Sequence, residues 1–562
     1  MARGRSPSPG PGRGRSGSAG RGKGRGRSPA KPDACVPARG FPLARCVFVA
    51  ACVTVLVALV LTVPHVRVDS PPQLATGGDS AAYKVAKEAF YTGHSGGSSW
   101  EIVLVTAIAP VSVFCVQVVQ LSLKRPGPLA NVLINFLLVA CPLHAAFVLP
   151  DCAVHLMLGL LATTAAAAAA VGMRLRAWGA ALDDMARAMH LPRKAFVTAY
   201  RGTMMLATCL AILAVDFPSF PRRFAKTETF GVSVMDAGVG SVLLTQAMVS
   251  PVARMTRRSA VHRVGAAMRS ASPLVLLGLV RVASTAAADY HTHVTEYGVH
   301  WNFFFTLAAI SVLGNALPLQ GWAAAVGAGV LSAAYEYALS SHGLQDYILH
   351  APRNDLLSAN REGVFGCAGY AAVFFAGVAL GQLIFGGRGG GGGGGRPSAL
   401  WWIGLCAWLV ALSGALWGLL VALERTGLRV SRRMVNLPYV VWTLAYNALL
   451  LALFLLGELL VHFVEKPEAK PAAVMLSKPR FRTVQAFRRY FGESCQMLCD
   501  ALNRNLLAVF LGSNLLTGAV NMSLPTLEAS WWQGVAITAL YSFSITSLAA
   551  AAHHRKLNLK FW

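Results

Sequence analysis

The sequence predicts an all-α polytopic membrane protein of about thirteen transmembrane helices, with one extra span near the N-terminus. Of its 562 residues, 55% are hydrophobic and 13% are charged, whereas soluble globular chains carry about 25% charged residues. Mean hydropathy is +0.52. Apolar stretches suited to a bilayer core, which takes roughly 20 residues to cross, follow one another along the chain. They lie at residues 46–63, 102–122, 129–149, 153–173, 203–217, 230–250, 273–290, 302–318, 321–340, 364–387, 398–422, 437–463, 504–524 and 532–552.

The N-terminal part is predicted to stand apart from the multi-span domain. Residues 1–45 hold eleven Lys and Arg and one acid in a Gly/Ser/Pro/Arg tract, which cannot bury a core. A disordered basic tail is favoured over an RNA-binding arm, and no nucleic-acid partner is predicted. Residues 46–63 are expected to be an uncleaved signal anchor, and residues 64–101 a lumenal segment.

The multi-span domain is expected to cover residues 102–562, and its loop charges predict its orientation. Basic residues concentrate in alternate loops, as the positive-inside rule requires of the cytosolic side. They cluster around residues 124–125, 174–194, 254–269 and 478–489. These basic loops, the C-terminus, the Gly-rich loop 386–397 and the basic loop 464–503 are therefore predicted to be cytosolic, and the loops that alternate with them lumenal.

The most informative loop is predicted to lie on the lumenal side, beginning at the end of the stretch 203–217. It contains Asp216, Arg222, Arg223 and Lys226 within eleven residues, together with two prolines. Charge at a membrane edge is costly unless it is used. Proline fixes the backbone φ angle, so this loop is expected to be stiff enough to hold an acid and a base near one another.

Further polar clusters fall on the same predicted side. They comprise Asp236, Arg281, the segment 291–302 with Glu296, His300, Trp301 and Asn302, the segment 358–363 with Asn360, Arg361 and Glu362, and the segment 431–436. Clustering on one face indicates a site. Simpler roles stay open for each: a neutralised intramembrane pair for Asp236 and Arg281, an interfacial belt for 291–302, and a helix start for 360–362.

Metal, disulfide and glycan sites are not predicted. Most of the eleven cysteines lie in apolar stretches, where cysteine usually acts as a small hydrophobic residue. Cys495 and Cys499 lack further ligands at zinc spacing. The sequon Asn521-Met-Ser lies at the end of a span, too close to the membrane for modification.

Several strings, in order along the chain, resemble those of the glucosaminyl-phosphatidylinositol acyltransferase family of PIG-W type. The resemblance covers roughly residues 87–562. The strings are Lys87-Glu-Ala-Phe90, Ile212-Leu-Ala-Val-Asp-Phe-Pro with Phe220-Pro-Arg-Arg-Phe-Ala-Lys226, Met235-Asp-Ala-Gly-Val-Gly240, Thr295-Glu-Tyr-Gly-Val-His-Trp-Asn-Phe-Phe-Phe-Thr306, Ala359-Asn-Arg-Glu-Gly363, Ser431-Arg-Arg-Met-Val-Asn436 and Ala501-Leu-Asn-Arg-Asn505. Residues 1–86 and the glycine run at 389–395 depart from the family pattern.

The resemblance implies a multi-pass enzyme of the endoplasmic reticulum membrane. Such an enzyme acylates the inositol ring of glucosaminyl-phosphatidylinositol, a GPI-anchor precursor, with acyl-CoA as co-substrate and no bound cofactor. It also implies that Asp216 and Lys226 are the catalytic pair. Residues expected to bind substrate are Arg222, Arg223, Asp236, Arg281, Glu296, His300, Trp301, Asn302, Asn360, Arg361 and Glu362.

The residue types suit that chemistry. Acyl transfer to a hydroxyl requires a proton acceptor and stabilisation of an oxyanion, which Asp216 and Lys226 can supply. Arg222 and Arg223 offer forked donors for a lipid phosphate, although anchoring to lipid headgroups is an alternative. A lipid or ion transporter using Asp236, Arg281 and Glu458 remains open, although no inverted repeat is evident. So does a structural subunit of a membrane complex.

Overall fold

A computed structural model of the chain describes residues 80–123, 126–175, 177–189, 193–254, 259–287, 294–386, 398–465 and 496–559. The predicted basic tail and signal anchor lie outside these residues. Residues 387–397 of the predicted Gly-rich loop and most of the basic loop 464–503 also lie outside the described residues.

The described chain is a bundle of helices. In chain order they are α1 (Ser80–Tyr91), α2 (Ser99–Ser122), α3 (Pro128–Val148), α4 (Pro150–Ala170), α5 (Trp178–Met189), α6 (Ala195–Ala214), α7 (Val234–Met248), α8 (Ala260–Ala287), α9 (Val294–Tyr297), α10 (Phe303–Ala316), α11 (Trp322–Ser341), α12 (Leu344–His350), α13 (Leu356–Ala359), α14 (Arg361–Gly386), α15 (Ala399–Arg425), α16 (Leu437–Val461), α17 (Met497–Arg504), α18 (Leu506–Ser523) and α19 (Trp531–His554). Helix α3 contains a π-helical turn at Phe136–Ala140. Two short strands, β1 (Arg174–Leu175) and β2 (Val464–Glu465), pair antiparallel.

This architecture confirms the predicted class of all-α multi-pass membrane protein. Among the described residues, ten helices are long and apolar enough to cross a membrane, and α7 and α10 are shorter apolar helices. A helix lies at each predicted apolar stretch between residues 102 and 552. The largest difference is at α8, which begins at Ala260 instead of residue 273. Helix α6 begins at Ala195 instead of residue 203 and therefore includes Arg201. The count of thirteen spans stays a prediction.

Consecutive long helices run in opposite directions, so their connections alternate between the two ends of the bundle. We call the end that holds residues 215–233 the site end and the other the opposite end. Polar side chains begin many helices at the site end. Ser98 caps α2, Ser233 caps α7, Asn302 caps α10, and Asn436 caps α16, each accepting a hydrogen bond from a backbone N–H of the first turn. Such caps satisfy donors that a helix cannot pair internally.

Helices α2, α6, α7, α14 and α16 form the buried centre, whereas α8 and α18 expose most of their length. Small residues allow close approach within this centre. A Cβ at Gly377 or Gly381 of α14 would lie 2.6 Å from the Leu244 carbonyl oxygen or 2.3 Å from the Met248 carbonyl oxygen of α7. Glycine therefore lets these two backbones touch. Because α6 is central, the residues that follow it enter a largely buried environment.

Candidate active site

The loop between α6 and α7, residues 215–233, is fastened to neighbouring segments of the site end. The N–H of Gly97 donates to the Val232 carbonyl at 2.9 Å, and the N–H of Gly231 donates to the Val430 carbonyl at 2.9 Å. Gly231 has φ +120°, and a Cβ there would lie 2.0 Å from the Ser95 carbonyl oxygen. Only glycine fits this position, so the backbone path of the loop is closely defined.

Asp216 follows α6 and is 6% exposed. The Tyr91 hydroxyl of α1 donates to its Oδ1, and the Asn521 side-chain amide of α18 donates to its Oδ2. Lys87 Nζ donates to Asn521 Oδ1 at 3.1 Å, on the far side of that amide. We call Lys87, Tyr91, Asp216 and Asn521 the Asp216 cluster. It brings together the first described helix, the end of α6 and the penultimate helix.

The environment of Asp216 sets its proton affinity. Burial raises the pKa of this carboxyl, and this effect outweighs the opposing hydrogen bonds from Asn521 and Tyr91 and the charges of Lys87 and Arg222. A carboxylate that is desolvated but still held by directed donors is suited to accept a proton from a nearby hydroxyl.

The two loop arginines have contacts that hold the loop in place. The guanidinium of Arg222 lies 3.9 Å from the Phe90 ring centroid and donates to the Phe217 carbonyl at 3.0 Å. Arg223 forms a forked contact with the carboxylate of Glu101 in α2, with Nε 2.9 Å and 3.1 Å from its two oxygens. The structure thus gives both side chains a role in shaping the loop. Their predicted phosphate binding stays a prediction.

Lys226 belongs to a second group of charges. Its Nζ lies 2.7 Å from Glu296 Oε2, the other oxygen of Glu296 accepts from Arg432, and Arg432 Nε lies 3.3 Å from Asp236 Oδ1. The second carboxylate oxygen of Asp236 accepts from Ser233 Oγ at 2.8 Å. We call Lys226, Asp236, Glu296 and Arg432 the Lys226 cluster. Its two cations and two anions alternate and sum to zero charge.

The acid in the middle of this cluster is strongly stabilised as an anion. Burial alone would raise the pKa of Glu296, but the charges of Lys226 and Arg432 hold it well below its usual range. Glu296 therefore stays ionised at physiological pH and fixes the position of Lys226. Lys226 keeps 41% of its side chain exposed. One of the three N–H bonds of its ammonium group is used by Glu296, which leaves two for another acceptor.

Asp216 and Lys226 do not contact each other in the described part of the chain. The stiff loop was expected to hold them near one another, but the turn at Arg222–Phe224 is followed by Thr227, whose side chain binds Asp236 at 2.9 Å. This contact draws Lys226 toward Glu296. The two proposed catalytic groups are therefore held by separate networks at the same end of the bundle.

Asn360 and its neighbours shape the loop that carries Glu296. The Asn360 side-chain oxygen accepts from the backbone N–H groups of His300 at 2.8 Å and Trp301 at 2.9 Å. Trp301 donates to Thr306 at 2.9 Å. The side-chain amide of Asn302 donates to the Gly278 carbonyl at 3.0 Å. Asn302 and Asn360 thus have structural partners, whereas the side chain of His300 is exposed.

Arg361 and Glu362 begin α14 and face different partners. Arg361 Nε donates to the Ile348 carbonyl at 2.7 Å, at the end of α12. Glu362 is paired with Arg353 at 2.6 Å and Arg433 at 3.0 Å. Arg281 is exposed on α8; the partner of Asp236 is Arg432, so the suggested Asp236–Arg281 pair is not formed.

Sequence reasoning did not name Lys87, Tyr91 or Asn521 as site candidates, and it included Arg432 only as part of the polar segment 431–436. Lys87 and Arg432 lie within strings of the family resemblance, which is the signal that could have found them. Asn521 drew notice only as a sequon. Tyr91 carried no signal, because its role depends on a contact with a residue 125 positions away.

Comparisons with known proteins cover nearly the whole described chain. The GWT1 family model matches residues 83–552. GPI-anchored wall transfer protein 1 of Aspergillus fumigatus is 38% identical over 522 residues, covering 85% of this chain and 99% of the relative. The protein of the same name from Emericella nidulans is 39% identical over 504 residues, covering 85% and 98%. Phosphatidylinositol-glycan biosynthesis class W protein of Dictyostelium discoideum is 29% identical over 528 residues, covering 85% and 99%. The chain belongs to the GWT1 family.

Proposed function

We propose that this protein transfers a fatty acyl group from acyl-CoA to a ring hydroxyl of the inositol of glucosaminyl-phosphatidylinositol. Family membership supports a role in GPI-anchor biosynthesis, a process of the endoplasmic reticulum, and a lipid-linked GPI intermediate as substrate. The observation that carries the reaction type is Asp216, a buried carboxylate whose pKa is raised by burial. Two directed hydrogen bonds hold it in place.

The proposed mechanism uses both clusters. Asp216 accepts the proton of the inositol hydroxyl as the oxygen attacks the thioester carbonyl carbon. The carbonyl oxygen becomes an oxyanion, which accepts N–H bonds from Lys226. Collapse of this tetrahedral intermediate re-forms the carbonyl and breaks the carbon–sulfur bond. The CoA thiolate then takes the proton from Asp216, which returns the carboxylate to its starting state.

This mechanism requires the reacting carbonyl to lie between the Asp216 cluster and the Lys226 cluster. Separate networks suit that requirement, because a direct ion pair would consume the base and the oxyanion donor in binding each other. Glu296 orients Lys226 while leaving it two donors. We further propose that the site end faces the lumen, as the distribution of basic loops predicts.

The transporter alternative was based on three intramembrane charges, and the structure gives each of them a different environment. Asp236 is paired with Arg432, and Arg281 is exposed on α8. Glu458 accepts side-chain amide bonds from Gln117 at 3.0 Å and Gln496 at 3.2 Å near the opposite end. These contacts do not form a common pathway among the described residues, so no observation favours transport.

The test is acyl transfer by the purified full-length protein, given glucosaminyl-phosphatidylinositol and a radiolabelled acyl-CoA. We expect a product with one alkali-labile acyl group on inositol. Asp216→Asn should abolish it, whereas Asp346→Asn should not. Asp346 is a matched control because it is an exposed acid whose contact is an i,i+4 pair with His350 at the site end. Absence of product from wild-type protein that binds the glycolipid would refute the proposal.

A further inference from the structure

Arg201 is a charge that the proposed reaction leaves unexplained. It lies within α6, less than two turns from its start at the opposite end. Within the described residues its guanidinium contacts no acid, and its buried Nε has no acceptor. An arginine inside a membrane-spanning helix is costly and usually has a partner or a function. Here the residues that the structure describes supply no acidic partner.

Two further cations at the same end, Lys194 and Arg254, form no ion pair with an acid of the described chain. The guanidinium of Arg254, which follows α7, is close enough to Arg201 for the two charges to repel and lies 6.0 Å from the Phe385 ring centroid. Lys194, at the start of α6, has its Nζ 4.8 Å from the Trp402 ring centroid and donates to the Met189 carbonyl. We call Lys194, Arg201 and Arg254 the opposite-end cations.

Lys194 shows how little the protein compensates these charges. Burial lowers its pKa to about 8, which means that no nearby anion of the described chain stabilises its ammonium form. The contrast with the Lys226 cluster is direct, since there each cation has a carboxylate partner. Three positive charges that contact no acid within the described residues favour an anionic ligand.

Helix α6 connects this region to the proposed active site. Arg201 and Asp216 are fifteen positions apart on or just after the same helix, so they are separated by about 22 Å along its axis. Acyl-CoA has its phosphates at one end and its thioester at the end of the long pantetheine arm. An acyl-CoA molecule held by its phosphates near Arg201 would therefore direct its thioester along α6 toward Asp216.

We propose that the opposite-end cations bind the phosphate groups of the acyl donor, so that the acyl-CoA enters from the end opposite the catalytic groups. This inference rests on the proposed function. Arginine suits the ligand because its planar donors match phosphate oxygens. The same chemistry could be supplied by anionic lipid headgroups, and the experiment separates these sources.

Binding is measured with the full-length protein in nanodiscs of phosphatidylcholine, using CoA, 3′-dephospho-CoA and pantetheine as probes. We expect wild-type protein to bind CoA more tightly than pantetheine. Arg201→Gln should weaken CoA binding by at least about tenfold, the loss of one charged hydrogen bond, and leave pantetheine binding unchanged. Arg201→Lys should lose less. Arg174→Gln is the matched control, because Arg174 is an exposed cation in β1 at the same end.

Unchanged CoA binding in Arg201→Gln would overturn the inference. So would a defect that depends on added phosphatidylserine, because this result would assign the cations to lipid headgroups. In turnover assays the KM for acyl-CoA should rise in Arg201→Gln while the KM for the glycolipid stays constant. If wild-type protein binds CoA through Arg201 but transfers no acyl group, the proposed function fails and the binding site stands.

Discussion

Replacing Asp216 by asparagine removes the proposed proton acceptor with little change of shape. The carboxylate accepts from Tyr91 at one oxygen and from Asn521 at the other. Asparagine can keep its oxygen toward Asn521 and turn its amide toward the Tyr91 hydroxyl, which is able to accept a hydrogen bond. The reverse orientation would place two amide donors against each other. Only the bond with Tyr91 therefore has to rearrange.

The structural and chemical effects of this change differ in size. Rearranging one hydrogen bond should cost about 1 kcal/mol of folding stability, measured as a small decrease in Tm. Losing a general base should lower turnover by about 10²–10⁴-fold, equivalent to about 3–5 kcal/mol of transition-state stabilisation. A large loss of rate at nearly unchanged stability would therefore identify Asp216 as a participant in the chemistry.

The assay is turnover of purified wild-type protein, Asp216→Asn, Lys226→Met and the double variant, with Tm measured for each. Groups that act on one transition state give losses that overlap. We expect the double variant to be little slower than the slower single variant. A near-normal rate for Asp216→Asn would remove the acid from the mechanism. Losses that multiply would contradict the assignment of both residues to a single step.

The surrounding residues give further predictions. In Lys87→Met, loss of a positive charge that lowers the pKa of Asp216 should raise this pKa, so the rising limb of kcat/KM should move to higher pH; an unmoved limb would assign it to another group. Glu296→Gln should destabilise the protein by about 3 kcal/mol, because Lys226 and Arg432 lose their shared anion, and an unchanged Tm would contradict this. A cysteine at residue 219 should resist membrane-impermeant reagents in sealed microsomes, whereas one between residues 481 and 494 should react; the opposite pattern would reverse the orientation. A chain starting at Ala81 should retain activity, whereas one starting at Thr92, which lacks Lys87 and Tyr91, should have none even where it accumulates in the membrane.

Hydropathy was sufficient to predict the class and the positions of the helices. It failed at the start of α6, because Arg201 ended the apolar stretch at residue 203 although the helix continues to Ala195. An apolar stretch marks residues that tolerate lipid. A helix that packs among other helices can extend beyond its apolar stretch and include a charged residue. Its boundary therefore depends on tertiary packing, which hydropathy does not report.

The candidate site was predictable as a location but not as a set of contacts. Polar clusters on one predicted side indicated a shared site, and the structure places these segments at one end of the bundle. The partners of Asp216 could not be inferred, because Tyr91 and Asn521 are 125 and 305 positions away in the chain. Lys226 and Asp216 are close in sequence, yet local contacts of Thr227 direct them into different networks.

The Asp216 cluster unites α1 with α18, so this centre remains incomplete until the ribosome has made almost the entire chain. Until α18 has been synthesised, Asp216 lacks its hydrogen bond from the Asn521 amide. The nascent chain should therefore be inactive during membrane insertion. Stop codons between α17 and α18, which remove only the last two helices, should therefore abolish activity. Conversely, a separately expressed α18–α19 hairpin offers a route to complementation, in which restored acylation would report the docking of two independently inserted fragments.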